Sequence, residues 1–260
     1  MQHAVIYNFL GIEGFRLNWY SLFIISGVLG GVVMALIRMQ QKQYHWELLV
    51  DVLLFVLPLA FVGTRLFYVV FHWESYQGNL YKILAVWEGG LALYGGFIGG
   101  LLGAILFSIV KHYPLWRVVD LLIPCMLVGQ IIGRWGNFVN QEAYGQLITN
   151  PKLCFFPYGV YIDAQGAWYQ ATFFYESLWN LFVLIAILLL EKKFKEEGST
   201  FAMYLIGYGA GRFWIEGLRS DSLYLTGRIR ISQLLSLIGI LTGSAMLCLL
   251  TKHKKSTKTD

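Results

Sequence analysis

Gly133-Arg134-Trp135-Gly136-Asn137-Phe138-Val139-Asn140-Gln141-Glu142-Ala143-Tyr144-Gly145 closes an apolar segment that opens at Val118. An arginine, two asparagines and a glutamate therefore stand at or near membrane depth. An arginine at the centre of a membrane helix costs about 2.5–3.5 kcal/mol on insertion scales. A residue of that cost usually faces a bundle interior or a wet cavity and handles a polar ligand. The positive charge of Arg134 predicts an anionic one.

The rest of the chain agrees with a membrane setting. Its 260 residues are 57% hydrophobic and 13% charged, whereas soluble domains carry about 25% charged residues. Seven apolar segments approach the roughly 20 residues a helix needs to cross a bilayer. They cover residues 19–37, 48–71, 89–110, 118–140, 173–190, 200–216 and 231–250. The expected fold is all-α and polytopic, a single domain over residues 1–260 with seven transmembrane helices and a loop at about 141–172. No long Pro-, Gly- or Ser-rich linker divides it. The first apolar run lacks a preceding basic region and a small-residue cleavage site, so it is expected to remain as a helix.

Lysine and arginine placement orients the segments. One set of connections holds Arg38, Lys42, Lys111, Arg117, Lys192, Lys193, Lys195, Lys252, Lys254, Lys255 and Lys258; the other holds only Arg16, Lys82, Lys152, Arg219, Arg228 and Arg230. This predicts an outer N-terminus, a cytoplasmic C-terminus and an outer position for loop 141–172. That loop carries Phe155, Phe156, Tyr158, Tyr161, Trp168 and Tyr169, aromatics suited to the headgroup level. The net charge of +5 lies mostly in loops and informs topology rather than nucleic-acid binding.

On this topology the polar residues converge. Tyr20, Arg65, Tyr94, Arg134, Asn137, Asn140, Glu142, Tyr175, Glu176, Arg212, Glu216 and Arg219 all fall towards the outer ends of helices that run in opposite directions. Taken singly they have plain structural readings. Arg212 and Glu216, four residues apart, can neutralise each other, and Glu176 can pair with Arg65 or Arg134. Taken together they carry a surplus of arginine, with Arg228 and Arg230 adding to it. Guanidinium forks bind phosphate oxygens bidentately, so a phosphate-bearing partner is expected. Gly99, Gly100 and Gly103 predict close helix packing, whereas Gly95 and Gly96, at the level of the site, are expected to let backbone approach a ligand. Gly207, Gly209 and Gly211 likewise thin the sixth helix just before Arg212.

Other chemistries lack their residues. The five histidines are dispersed and form no His-Glu-x-x-His pair. No Gly-x-Ser-x-Gly elbow, P-loop or aspartate cluster occurs. Cys125, Cys154 and Cys248 suggest neither a disulfide framework nor a metal site. The reading is a metal-free, cofactor-free site of arginines, carboxylates and tyrosines.

With these residues in view, the chain resembles the prolipoprotein diacylglyceryl transferase family. The likeness rests on Gly-Arg-x-Gly-Asn-Phe-x-Asn-x-Glu-x-x-Gly at 133–145, on Phe174-Tyr175-Glu176-Ser177, and on Gly211-Arg212-Phe213-x-Ile215-Glu216-x-x-Arg219. Where many members carry His-Gly-Gly in the third helix, this chain has Tyr94-Gly95-Gly96. Where the block before Tyr175 often begins His-Pro, it has Gln170-Ala171. The resemblance implies a multi-pass enzyme of the bacterial cell membrane with its site towards the outer face. Its implied partners are membrane lipid, phosphatidylglycerol and the signal peptide of a prolipoprotein, whose lipobox cysteine receives the diacylglyceryl group. No nucleic acid is implied.

Residue roles follow from the resemblance. Arg134 and Arg212 are expected at the lipid phosphate, with Arg219 a third contact. Asn137 and Asn140 are expected to orient the headgroup, and Tyr20, Gly145, Glu176 and Glu216 to complete the binding site. Glu142 and Glu216 are expected to position arginines, with Glu142 also a candidate base. Tyr94 is a poor base, since an ordinary tyrosine has a pKa of about 10, and is expected to hydrogen-bond substrate. Two rivals stand beside this reading. A lipid or anion transporter would place its site near the midplane between repeats, and none is evident; a noncatalytic scaffold gives no reason for buried arginines.

Overall fold

The computed structural model describes residues 4–7, 16–86, 89–220 and 230–256. Arg228 and Lys258, whose charges enter the topology above, lie outside the described residues. The chain forms two compact units, Ala35–Leu121 and Met1–Met34 with Leu122–Asp260. Their boundaries fall inside two long helices, α1 (Trp19–Lys42) and α6 (Leu115–Asn140).

Among the described residues, seven helices reach 18 residues: α1, α2 (Trp46–Phe71), α5 (Leu93–Val110), α6, α7 (Thr172–Leu190), α8 (Ser199–Leu218) and α9 (Ile231–Ser256). Each overlaps one expected segment. By length and composition, five are able to cross a membrane: Trp19–Lys42, Trp46–Phe71, Leu115–Asn140, Thr172–Leu190 and Ile231–Lys252. Tyr94–Val110 is apolar but shorter. Helix α8 is diluted by Ser199, Thr200, Arg212 and Glu216. Their outward faces are greasy, with Leu29, Leu54, Leu66, Phe182 and Leu241 exposed, as lipid-facing positions require.

Two details depart from the expected pattern. The third apolar segment does not begin its helix at Gly89. Gly89 and Gly90 hold φ of 89° and 72°, outside the right-handed helical region, so α5 opens only after them, at Leu93. Short helices α3 (Trp73–Tyr76) and α4 (Leu80–Leu84) fill the connection before it. The fold is also not purely helical. Antiparallel hairpins pair β1 (Ala4–Tyr7) with β2 (Arg16–Asn18) and β3 (Gly159–Ile162) with β4 (Ala167–Gln170).

In the unit Ala35–Leu121, α2 and α5 lie antiparallel and almost backbone to backbone. A Cβ built on Gly95 would stand 2.1 Å from the Gly63 carbonyl oxygen, and one on Gly99 2.1 Å from that of Leu59. Phe55 and Phe107 meet edge to face at 5.8 Å, and Lys111 pairs with Asp51 at 2.6 Å. In the other unit, α1 runs antiparallel to α6 through Gly27 and Gly31, whose added Cβ atoms would meet the Gly129 and Cys125 carbonyls at 3.2 and 3.1 Å. Helix α8 sits between α7 and α9. Trp179 of α7 lies where a Gly211 side chain would be, and donates from Nε1 to the Gly207 carbonyl at 2.8 Å.

Gly99→Leu should force α2 and α5 apart, because the clash is with main chain that cannot rotate away. Overpacking costs about 1–3 kcal/mol, and a marked fall in the thermal unfolding midpoint of the detergent-solubilised protein is expected. Gly100→Ala, whose new Cβ would meet Ala60 Cβ at 3.8 Å, should leave the midpoint unchanged.

Candidate active site

The unit built from Met1–Met34 and Leu122–Asp260 gathers most of the expected polar residues around one carboxylate. Glu176, in the second turn of α7, accepts from Arg134 Nη2 on one oxygen and from Arg212 Nη1 on the other at 3.0 Å. Arg212 Nη2 also meets Glu216 Oε2 at 2.7 Å, one turn along α8. The Glu216 main-chain carbonyl accepts from Arg230 Nη1. Three helices are thereby linked through charged side chains.

Burial divides these groups by type. The side chains of Glu176 and Glu216 are 3% and 2% exposed, while those of Arg134 and Arg212 are 20% and 16% exposed. The carboxylates are the fixed centre and the arginines its accessible rim. Arg134 spends Nη2 on Glu176 and Nη1 on Asn137 Oδ1 at 3.4 Å. A guanidinium has five N–H donors, so among the described residues Arg134 retains three for a ligand.

Local sequence explains the placement. Trp179 seated on Gly211 and Gly207 sets the approach of α7 and α8, which aligns Glu176 with Arg212. Ser177 Oγ donates to the Ile131 carbonyl at 2.9 Å, holding α7 to α6 one turn below Arg134. Helix α6 ends because Gln141 takes φ of 50°, the left-handed stop common after a helix. The chain then doubles back, and the Glu142 amide donates to the Asn137 carbonyl at 3.0 Å. This brings Glu142 Oε1 to Asn137 Nδ2 at 2.8 Å and Asn140 Nδ2 at 3.4 Å. Asn137 thus joins Glu142 to Arg134.

The segment between α6 and α7 is an ordered cap with a core of its own. Val160, Ile162, Ala171 and Phe173 are buried there, with Trp135, Tyr144, Tyr169, Phe174 and Tyr175 packed against them. Gln141 and Asp163 bind reciprocally, side chain to side chain at 2.7 Å and Asp163 amide to Gln141 Oε1 at 2.9 Å. Gly145 bridges Arg219 in a short antiparallel contact, and any larger residue would place its Cβ 2.8 Å from Gln170 Cβ and Thr172 Cγ2. Gly145 is a packing position that ties the cap to the end of α8. Of the loop aromatics, Phe155, Phe156 and Tyr161 remain exposed.

The remaining expected residues divide. Tyr20, at the start of α1, lays its ring where a Gly136 Cβ would come within 2.8 Å of Cδ2, beside the turn of α6 that carries Arg134. Tyr94 belongs to the other unit, in the first turn of α5, and is 60% exposed. Arg65 also belongs to that unit. It does not pair with Glu176; its N–H groups are all given to main-chain carbonyls of its own unit. The arginine surplus therefore rests on Arg134, Arg212, Arg219 and Arg230 against Glu142, Glu176 and Glu216. The sequence does not single out Trp179 or Gln141, although Gln141 lies inside the 133–145 block and Trp179 just beyond the 174–177 block.

Comparison with known proteins gives a consistent set of matches. The model of the family described as Prolipoprotein diacylglyceryl transferase matches residues 8–249. A relative from Listeria innocua serovar 6a, named phosphatidylglycerol–prolipoprotein diacylglyceryl transferase, is 39% identical over 242 residues, covering 91% of this chain and 86% of its own. Proteins of the same name from Bacillus licheniformis and Clostridium novyi are each 40% identical. The first covers 88% of this chain and 87% of its own, the second 95% and 96%.

Replacing Glu176 with glutamine should leave Arg134 and Arg212 sharing a neutral amide. Removing one partner of a buried ion pair costs about 3–5 kcal/mol. A loss of that order in the unfolding free energy is expected, and a stability equal to wild type would show that the pairing is not formed.

Proposed function

Because this chain belongs to the prolipoprotein diacylglyceryl transferase family, we propose that its arginine–glutamate cluster grips a phospholipid phosphate while a protein thiol displaces it. The protein is a membrane transferase that moves the diacylglyceryl group of phosphatidylglycerol to a prolipoprotein, a step of lipoprotein maturation. The acceptor in this reading is the thiol of the lipobox cysteine beside the signal peptide. The observation that carries the reading is Arg134, held by a buried carboxylate yet with guanidinium donors to spare.

The reaction is a substitution at carbon. The thiolate, which is the nucleophilic form of cysteine, attacks the glycerol carbon bonded to the phosphate ester oxygen. A carbon–sulfur bond forms, the carbon–oxygen bond breaks, and the electron pair leaves with glycerol 1-phosphate. The thiol proton is taken up by a base or by the departing phosphate. Negative charge grows on the leaving oxygen, so fixed donors aimed at it lower the barrier. Arg134 and Arg212 are assigned to that phosphate, with Arg219 as a further cation. Glu176 and Glu216 hold the arginines. Asn137 and Asn140 orient the headgroup, with Tyr20 beside them. Glu142, tied to both asparagines, is the candidate proton acceptor, and Tyr94 a hydrogen-bond partner of substrate.

The proposed membrane arrangement has seven crossings, the N-terminus outside, the C-terminus cytoplasmic and the site towards the outer face. The lysine and arginine asymmetry supports it. The shorter α5 and more polar α8 would cross as members of the bundle, where a charged stripe faces protein rather than lipid.

Purified enzyme given phosphatidylglycerol and a lipobox peptide should release glycerol phosphate, which a transporter would not do. Arg134→Ala and Arg212→Ala should each slow release by about 10²–10³, the usual loss for a transition-state donor. Arg134→Lys, which keeps the charge but loses the planar fork, should recover only part. Wild-type rates in both alanine variants would overturn the assignment.

A further inference from the structure

Arg65 is a buried cation for which the reaction above has no use. It is 5% exposed within the apolar helix α2, where an uncompensated charge is costly. Among the described residues it meets no carboxylate. Nε donates to the Ile83 carbonyl at 2.9 Å, Nη1 to those of Gly89 and Gly90 (the latter at 2.9 Å), and Nη2 to those of Lys82 at 2.6 Å and Ala85 at 3.1 Å. All five N–H groups of the guanidinium are engaged. The Tyr76 ring adds a cation–π contact, its centroid 5.2 Å from Cζ. Nothing is left over to bind a phosphate.

The partners share one property. Lys82, Ile83 and Ala85 lie at the end of α4, where helix carbonyls lack internal partners. Gly89 and Gly90 are the left-handed residues just before α5. The arginine therefore fastens both ends of the connection that delivers the chain into that helix. The adjoining Thr64 carbonyl accepts from the Ala92 amide at 3.0 Å, one residue before α5 begins. On its other side, α5 is pressed against α2 through Gly95 and Gly99. Tyr94 stands between these two restraints. Its ring is mostly exposed, and among the described residues its ring neighbour is Phe67, with centroids 6.3 Å apart. Where Tyr94 leaves the backbone is thus decided by main-chain contacts on either side of it.

We propose that Arg65 is a positioning residue for transfer: it clamps the 82–90 connection and so sets the first turn of α5 and Tyr94 with it. The inference rests on the substrate contact proposed above for Tyr94. Lysine at this position would keep the charge but has three donors on a single nitrogen, too few and too bunched for carbonyls spread from Lys82 to Gly90. Gly90 tests the clamp from the opposite side. Its φ is 72°, and an added Cβ would fall 2.7 Å from Arg65 Nη1 and 2.7 Å from Tyr68 Cε1.

The experiment uses the intact purified enzyme, with Arg65→Lys, Gly90→Ala and Tyr94→Phe alone and with Arg65→Lys added to Tyr94→Phe. Small misplacements of a reacting group cost up to about 100-fold, so Arg65→Lys and Gly90→Ala should each lower kcat by about 10- to 100-fold. KM for phosphatidylglycerol should stay within about twofold, since ground-state binding is not what the clamp supplies. Amide exchange across residues 89–96 should rise in both variants. In the Tyr94→Phe background, adding Arg65→Lys should cost less than about threefold, the non-additivity of two changes acting through one contact. Unchanged exchange in both variants, or an equal kcat loss with and without Tyr94, would overturn the proposal. A fully active Tyr94→Phe enzyme would overturn it through its premise. The exchange data, which do not depend on catalysis, would then still report whether the clamp holds.

Discussion

One buried carboxylate, that of Glu176, governs the charged centre of this protein. It stands between two arginines that reach it from different helices, and without it two like charges would share a poorly hydrated space. Burying ions is unfavourable unless pairing and hydrogen bonding offset the lost hydration. Here the offset is shared among Glu176, Glu216 and two guanidiniums, and the acidic members are the deeper ones. That order matters for chemistry. A glutamate beneath the arginines holds their forks still, while the exposed Glu142 is engaged by Asn137 and Asn140.

Arg134 and Arg65 show how little residue type alone decides. Both are arginines in apolar helices, and both are costly there. Arg65 gives every donor to the protein's own carbonyls and becomes part of the scaffold. Arg134 gives only some, remains partly accessible, and is the one suited to a ligand. The difference lies in the neighbours. A short helix end and two left-handed glycines surround Arg65 with acceptors, whereas Arg134 meets one acidic side chain and one asparagine.

This contrast also marks what can be read from the sequence. The helices were legible because apolar runs near membrane length admit few other structures, and the Arg134, Glu176, Arg212 and Glu216 set was legible because each member is expensive where it stands. Residue types alone leave the pairing of Glu176 open between Arg65 and Arg134, and periodicity has no means of settling it. By its depth in its helix Arg65 resembles the others; its carbonyl partners are main chain and leave no trace in residue identity. The late start of α5 was hidden for a related reason. Gly89 and Gly90 look like the glycines that follow them, and only their dihedral angles separate a turn from a packing groove. The cap between α6 and α7 read as an aromatic loop, while its hairpin depends on pairings such as Gly159 with Gln170 that no single strand announces.

Trp179 and Gly211 occupy the same volume, one as indole and the other as the absence of a side chain. Such a pair constrains the history of the protein. Enlarging the glycine first would expel the tryptophan, and shrinking the tryptophan first would open a void against α8. Either single step moves the partner of Arg212, so lineages should cross this point only by paired change, or not at all. The arginines and glutamates attract notice by their charge, yet the freedom of this enzyme to diverge is set just as firmly by an uncharged contact one turn away.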